Sequence, residues 1–178
     1  MPRMSRSRLA ASTLVAAAAL TVAGGNVAAA EQPAGPPPVD VANAQWLNAA
    51  CEVPAKRDLD VTKKIYAIGE KRKVSAKVML SAFEAGWVES HMNNLNCGDS
   101  DSVGVFQQRP SQGWCDDPAD CRDVDHATNA YFDQAIPNSS NNPGYTAGEL
   151  AQSVQRSAYP DRYDEQEAKA KSLLAEVK

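Results

Sequence analysis

The sequence predicts a mostly helical domain crossed by one long polar loop, and three observations carry that expectation. Apolar residues recur at helical spacing from Asp58 onward, capping residues stand where those runs begin, and residues 93–120 gather Gly, Asn, Asp, Ser and Pro with little periodicity. The chain has 178 residues, and about 148 once a leader of 30 is removed, which is room for one ordinary domain. With 43% apolar and 22% charged residues, the composition is globular and disfavours a disordered chain, collagen or a multi-span membrane protein. All the aromatic residues fall between Trp46 and Tyr163, so the first 40 residues have little to offer a core.

A first helix is expected from Asp58 or Leu59 to about Lys71, with Val61, Ile65 and Ile68 on one face. Ser75 can cap a second helix that reaches Glu89 or Ser90. In the polar loop only Val103 to Gln107 suggests extended structure. Helix resumes from Asp125 to Ala135, with Ala127, Ala130 and Tyr131 on one face, and is expected to end at Pro137. Thr146-Ala147-Gly148-Glu149 carries the capping-box pattern and should open another helix with Leu150 and Val154 inward, stopped by Tyr159-Pro160. The tail from Arg162 to Lys178, with Leu173, Leu174 and Val177 among charges, reads as a surface helix at the edge of the core.

Residues 1–30 read as a secretory signal: Arg3, Arg6 and Arg8 precede an apolar run from Leu9 to Ala23, and Ala28-Ala29-Ala30 offers a cleavage site. The competing reading, an uncleaved anchor, fails on length, because Gly24, Gly25 and Asn26 end the run short of the roughly 20 residues a span needs. Residues 31–42 include four prolines among small residues and are expected to form a linker, leaving 43–178 as the domain. The expected location is secreted or cell-wall associated, with no stable membrane association after cleavage. Loss of the leader takes the formal charge from −4 to −7, which argues against nucleic acid as a partner. Asn138-Ser139-Ser140 matches a glycosylation sequon at chance level and is given no role.

In an oxidising compartment Cys51, Cys97, Cys115 and Cys121 are expected to pair. Four cysteines allow three connectivities, and sequence does not choose among them. The favoured pairing joins Cys115 to Cys121 in a short local loop and Cys51 to Cys97 across the first helical segment. Zinc is the alternative, but no C-x-x-C pair occurs and His91 and His126 lack ligand spacing. No metal or cofactor is therefore expected.

The most informative residue lies at the end of the second helix. Phasing Ser75 to Ser90 at 100° per residue puts Val78, Ala82 and Ala85 in one row, widened by Met79, Phe83 and Gly86, and the next position in that row is Glu89. Glu84 falls on the opposite side, which this phasing assigns to solvent. A carboxyl held against apolar groups is disfavoured as the ion, so the pKa of Glu89 should rise. It could then protonate a leaving oxygen, as glycosidic cleavage requires. The bland alternative is a helix-end Glu that reaches solvent or an Arg or Lys. Farther on, Gln107 and Gln108 end a tight polar turn and carry amides suited to sugar hydroxyls, and Trp114 could stack on a sugar face.

Glu89-Ser90 followed fifteen positions after the Glu by Gly104-Val105-Phe106-Gln107 resembles the E-S … G-L-M-Q pattern of the soluble lytic transglycosylases and goose-type lysozymes. The segments Gln107 to Trp114 and Val154 to Tyr163 look like a lysozyme-like subgroup found in secreted actinobacterial proteins, and the likeness covers roughly Leu59 to Tyr163. It implies an α+β, predominantly α, lysozyme-like fold that cleaves the MurNAc-GlcNAc β-1,4 bond of peptidoglycan. Glu89 takes the position of the acid, Gln107 that of the pattern's Gln, and Tyr159 that of its late Tyr. Ser90, Ser102, Gln107, Gln108, Trp114 and Tyr159 are then the expected substrate contacts, in a monomer. Phe106 stands for the usual Met, and Pro160-Asp161-Arg162 replaces the Asn-Ala-Gly that often follows the late Tyr. A transglycosylase needs no second carboxylate, whereas hydrolysis needs a placed water; Asp99 and Asp101 are the candidates to hold it, unless they only cap their own turn. The alternative of another class is a non-catalytic glycan-binding module that keeps the cleft. A protease is disfavoured because neither G-x-S-x-G nor H-E-x-x-H occurs, and His91 is read as a supporting residue and not a base.

Overall fold

The computed structural model describes residues 51–178. The expected signal, the linker and residues 43–50 of the expected domain lie outside the described residues. The described chain is predominantly helical: α1 (Leu59–Arg72), α2 (Ala76–Ser90), a short α3 (Pro118–Arg122), α4 (Val124–Asn141), α5 (Ala147–Gln155) and α6 (Glu167–Val177), with 3-10 turns at Pro110–Gln112, Pro160–Arg162 and Asp164–Gln166. No strand forms among the described residues. The extended run expected near Val103 is one isolated bridge, in which Val103 and Gln108 exchange backbone hydrogen bonds of 3.0 Å each way.

The local signals act as their chemistry requires. Asp58 accepts from the Asp60 and Val61 amides, Ser75 accepts from Val78 N–H, and Thr146 and Glu149 complete a reciprocal capping box. Both favoured disulfides form, Cys51–Cys97 and Cys115–Cys121. The first closes a span of 46 residues and so removes much of the freedom of the unfolded chain.

Helix α2 is the central element. It packs against α5, α6, α4 and α1, and its buried residues lie all round the cylinder, including Val78, Ser81, Phe83, Glu84 and Val88. Sequence phasing treated α2 as one-sided, with Glu84 in solvent. Instead Glu84 is fully buried, because the turn at Asp164–Gln166 and helix α6 cover the side that local periodicity leaves polar. Helix α6 is accordingly more than an edge helix, with Ala170, Leu173 and Leu174 inside the core.

Two other expectations are corrected. Helix α4 does not stop at Pro137 but continues to Asn141 with the proline inside it. A mid-helix proline gives up one backbone hydrogen bond; here the turn beyond it is held by Asn138, whose Nδ2 donates to the Ser153 hydroxyl oxygen on α5 at 3.0 Å. The polar segment also contains α3, opened by Pro118 behind the Asp117 cap. Five residues carry too little periodicity to be read as a helix.

Gly104 is a point of close backbone approach in the loop. Its φ is +80°, its N–H donates to the Leu95 carbonyl at 2.7 Å, and a Cβ there would collide with the carbonyl oxygen of Cys121. Gly104→Ala combines left-handed strain with a clash against backbone, and is expected to cost about 2–4 kcal/mol. A urea midpoint equal to that of the parent would show that the loop can yield at this position.

Candidate active site

The end of α2 is shaped by two successive left-handed residues, His91 (φ 53°) and Met92 (φ 62°). Their amides donate back to the carbonyls of Trp87 and Gly86, both at 2.9 Å, which stops the helix directly after Glu89-Ser90. Met92 is buried against Gly86, so the turn is anchored. Helix α2 delivers Glu89 to a fixed position where the chain reverses.

Glu89 is half-buried, and its Oε1 accepts a 2.6 Å hydrogen bond from the Tyr163 hydroxyl. Tyr163 is fully buried. Burial, followed by the charge of Glu89, pushes its pKa well above the ordinary tyrosine value, so the phenol keeps its proton and donates. The Ser157 side chain also hydrogen-bonds the Tyr163 hydroxyl. Arg162, next in the chain, is buried too; burial pulls its pKa down, while the charges of Glu165 and Glu89 act in the other direction. Glu89 therefore sits among a tyrosine hydroxyl and a guanidinium that share one short turn.

The expected substrate contacts divide into two groups. Ser90 is fully buried, with its hydroxyl 2.7 Å from the Val105 carbonyl and 3.1 Å from that of Gly86; it ties the loop to α2 and cannot touch a glycan. Gln108 is 1% exposed and donates through Nε2 to the Ala127 carbonyl of α4 at 3.0 Å, and Ser102 is buried as well. Gln107 adopts a left-handed φ of 47° and directs its Nε2 to the Cys97 and Gly104 carbonyls at 3.2 and 3.1 Å, while its Oε1 is enclosed against Gly98. Burial withdraws Ser90 and Ser102 from the expected contacts, whereas Gln107 and Gln108, though bonded to backbone carbonyls, also line the cavity described below. A loop of this length must satisfy its own buried carbonyls, and Ser90, Gln107 and Gln108 are donors that do so.

Trp114 and Tyr159 remain accessible. Trp114 is half-buried and lines a cavity of about 280 Å³ together with Phe106, Gln107, Gln108, Gln112 and Gln155. Tyr159 is 38% exposed beneath the Arg162 guanidinium, 5.9 Å from its ring centre. The tyrosine hydroxyl on Glu89 is that of Tyr163 and not that of Tyr159, to which the resemblance assigns the late-tyrosine position. Pro160 opens a 3-10 turn that carries residue 163 inward and leaves 159 outside, a geometry that motif spacing does not reveal.

Of the two candidate second carboxylates, Asp101 is committed to the loop itself. Asp101 accepts from Arg109 Nε at 2.6 Å and from the Ser111 amide at 2.8 Å. These donors hold its carboxyl well below the usual range, the Ser111 amide first, and the residue acts as a staple across the loop. Asp99 is exposed, and its backbone carbonyl accepts from Ser102 N–H at 2.9 Å. Sequence reasoning missed Arg162, Tyr163, Ser157, Gln155 and Arg156. All lie in the segment Val154 to Tyr163 that carries the resemblance, which was the available signal. His91 stacks on Trp87 with centroids 4.5 Å apart, and its Nδ1 lies 3.2 Å from the Pro54 carbonyl. Among the described residues no group of His, Cys, Asp and Glu is arranged to hold a metal, and no helix is long and apolar enough to cross a membrane.

No protein-family model and no curated protein matches this chain.

Proposed function

We propose that this chain is a secreted, lysozyme-like, peptidoglycan-cleaving glycosidase of the lytic transglycosylase type, with Glu89 as its general acid and base. The observation that carries the reading is the short hydrogen bond from the buried Tyr163 hydroxyl to a half-buried carboxylate at the end of the central helix. A glutamate that served only as a helix end would need no such partner. In the first half of the reaction Glu89 gives its proton to the glycosidic oxygen as the C1–O bond of the N-acetylmuramoyl residue breaks. In the second half the carboxylate takes the proton of the sugar's C6 hydroxyl as that oxygen bonds C1, leaving a 1,6-anhydro end. A hydroxyl donor on the carboxylate fixes its orientation and steadies the ion between the halves. The commitment of Asp101 to Arg109 and Ser111 favours this single-carboxylate route over hydrolysis, in which a second acid would hold water.

Incubating the mature protein with cell-wall sacculi and analysing the soluble products by mass spectrometry tests the reading. Anhydro-ended muropeptides are expected. Reducing ends would replace transglycosylation with hydrolysis, and sedimentable binding without release would identify the protein as a non-catalytic wall-binding module.

Tyr163→Phe keeps the buried ring and removes only the hydroxyl. Loss of a hydrogen bond to a charged group is worth roughly 1.5–3 kcal/mol, so kcat is expected to fall about 10- to 100-fold with KM little changed. A variant with raised KM and unaltered kcat would place Tyr163 in binding and not on the acid.

A further inference from the structure

The cavity lined by Trp114 carries, besides its glutamine amides, a chemistry that sugar hydroxyls do not call for. Arg109 and Arg156 both line it, with Gln112, Gln155 and the Trp114 ring. Two sets of contacts connect its wall to the acid. Ser90, next to Glu89, bonds the Val105 carbonyl directly before Phe106 of the cavity wall. On the other side Arg156 is followed by Ser157, whose side chain meets the Tyr163 hydroxyl that holds Glu89.

Its two cations are unequally compensated. Arg109 pairs with Asp101 through Nε. Arg156 forms no ion pair among the described residues; its Nη2 donates to a neutral amide, Gln134 Oε1, at 2.7 Å. The groove between α1 and α4 also presents cations, of which Lys64 pairs with Asp125 and Arg72 with Asp133, while Lys71 forms no ion pair among the described residues. On a chain of formal charge −4, an uncompensated guanidinium facing a cavity is a local feature and not the general field of the protein. Guanidinium groups recognise carboxylates through parallel N–H donors. The volume of about 280 Å³ suits a short substituent and not a glycan strand.

We infer that this cavity binds a carboxylate of the acidic peptide stem carried by the glycan, with Arg156 as the principal donor and Trp114 covering the adjoining apolar portion. The inference rests on the proposed glycosidase reading and adds that the enzyme selects peptide-bearing over stripped strands. Arg156 is exposed and caps α5 through its backbone, and the one side-chain bond it gives up on substitution, to Gln134, is exposed, so an unchanged urea midpoint of Arg156→Gln separates loss of binding from loss of fold.

The test has two arms, both on the full disulfide-bonded chain. In the first, an acidic tetrapeptide containing D-Glu and its carboxamide form are titrated calorimetrically into the parent, Arg156→Gln and Arg156→Lys. Binding of the acidic peptide is expected, weakened about tenfold or more by amidation or by Arg156→Gln, with substantial recovery in Arg156→Lys. Absence of binding, or affinity indifferent to the charge on either partner, overturns the site. In the second arm initial cleavage rates are compared on glycan with and without its peptides. A several-fold preference for peptide-bearing strands that disappears in Arg156→Gln is expected, and equal rates on both substrates overturn the selectivity while leaving the glycosidase intact. Peptide binding with no cleavage of either glycan overturns the glycosidase and retains the site.

Discussion

Glu89→Gln is expected to lower the release of soluble muropeptides about 10²- to 10⁴-fold, the range over which a positioned acid–base group contributes. The amide has the shape of the carboxyl and its Oε1 can still accept from Tyr163, so the end of α2 should keep its geometry. What the amide cannot do is give a proton to a leaving oxygen and take one back from the incoming hydroxyl. The variant should therefore bind sacculi like the parent and unfold at a similar denaturant concentration. Undiminished release would remove Glu89 from the chemistry.

The second large effect concerns Glu84. It is fully buried, neither carboxyl oxygen has a hydrogen-bond partner, and its pKa is pushed up to about 8, by burial first and then by the charges of Asp164 and Glu167, against a smaller opposing pull from Lys171. The other titratable group turned toward it is the phenol of Tyr131 on α4, itself raised chiefly by burial. Because the folded state holds this proton more tightly than the unfolded chain, the carboxyl costs nothing below about pH 4.5 and costs progressively more stability as pH rises to about 8, after which the penalty is constant. At about 1.4 kcal/mol per pH unit, the cost by pH 7 is roughly 3 kcal/mol. Glu84→Gln should thus match the parent near pH 4 and exceed it increasingly toward pH 8, in urea unfolding followed by circular dichroism. Parallel stability curves for the two proteins would mean that Glu84 ionises without penalty.

These two glutamates, five positions apart on one helix, show what was legible in the sequence and what was not. The row Val78, Ala82, Ala85 is buried as its period requires, and Glu89 at its end is half-covered, as a carboxyl on the inward face should be. The same phasing misplaced Glu84, because a helical period says which residues share a face and nothing about what arrives later to cover the opposite one. The segments that cover it, the turn at Asp164–Gln166 and helix α6, come some eighty residues downstream. The favoured disulfide pairing is the one that forms, but sequence left three connectivities open, and it is the fold that brings Cys51 to Cys97. In the loop, sequence named Gln107, Gln108 and Ser102 as polar groups free to meet a ligand; the fold buries Ser102 and turns both glutamine amides to backbone carbonyls, while leaving the two glutamines on the cavity wall. Tyr159 and Tyr163 differ in sequence only by position, yet one is exposed and the other holds the acid.

The sequence by itself determined where the helices start and how they are capped, which residues form the apolar rows, that the cysteines pair, and that Glu89 merits attention. Those features depend on neighbours within one or two turns, so composition and spacing encode them. Only the tertiary structure decided that α2 is buried on all sides, that Tyr163 supplies the hydroxyl on Glu89, and that Arg109 and Arg156 meet across one cavity. Each of those outcomes joins segments tens of residues apart, and such contacts follow from the packing of whole faces, for which no local pattern is a sufficient cause.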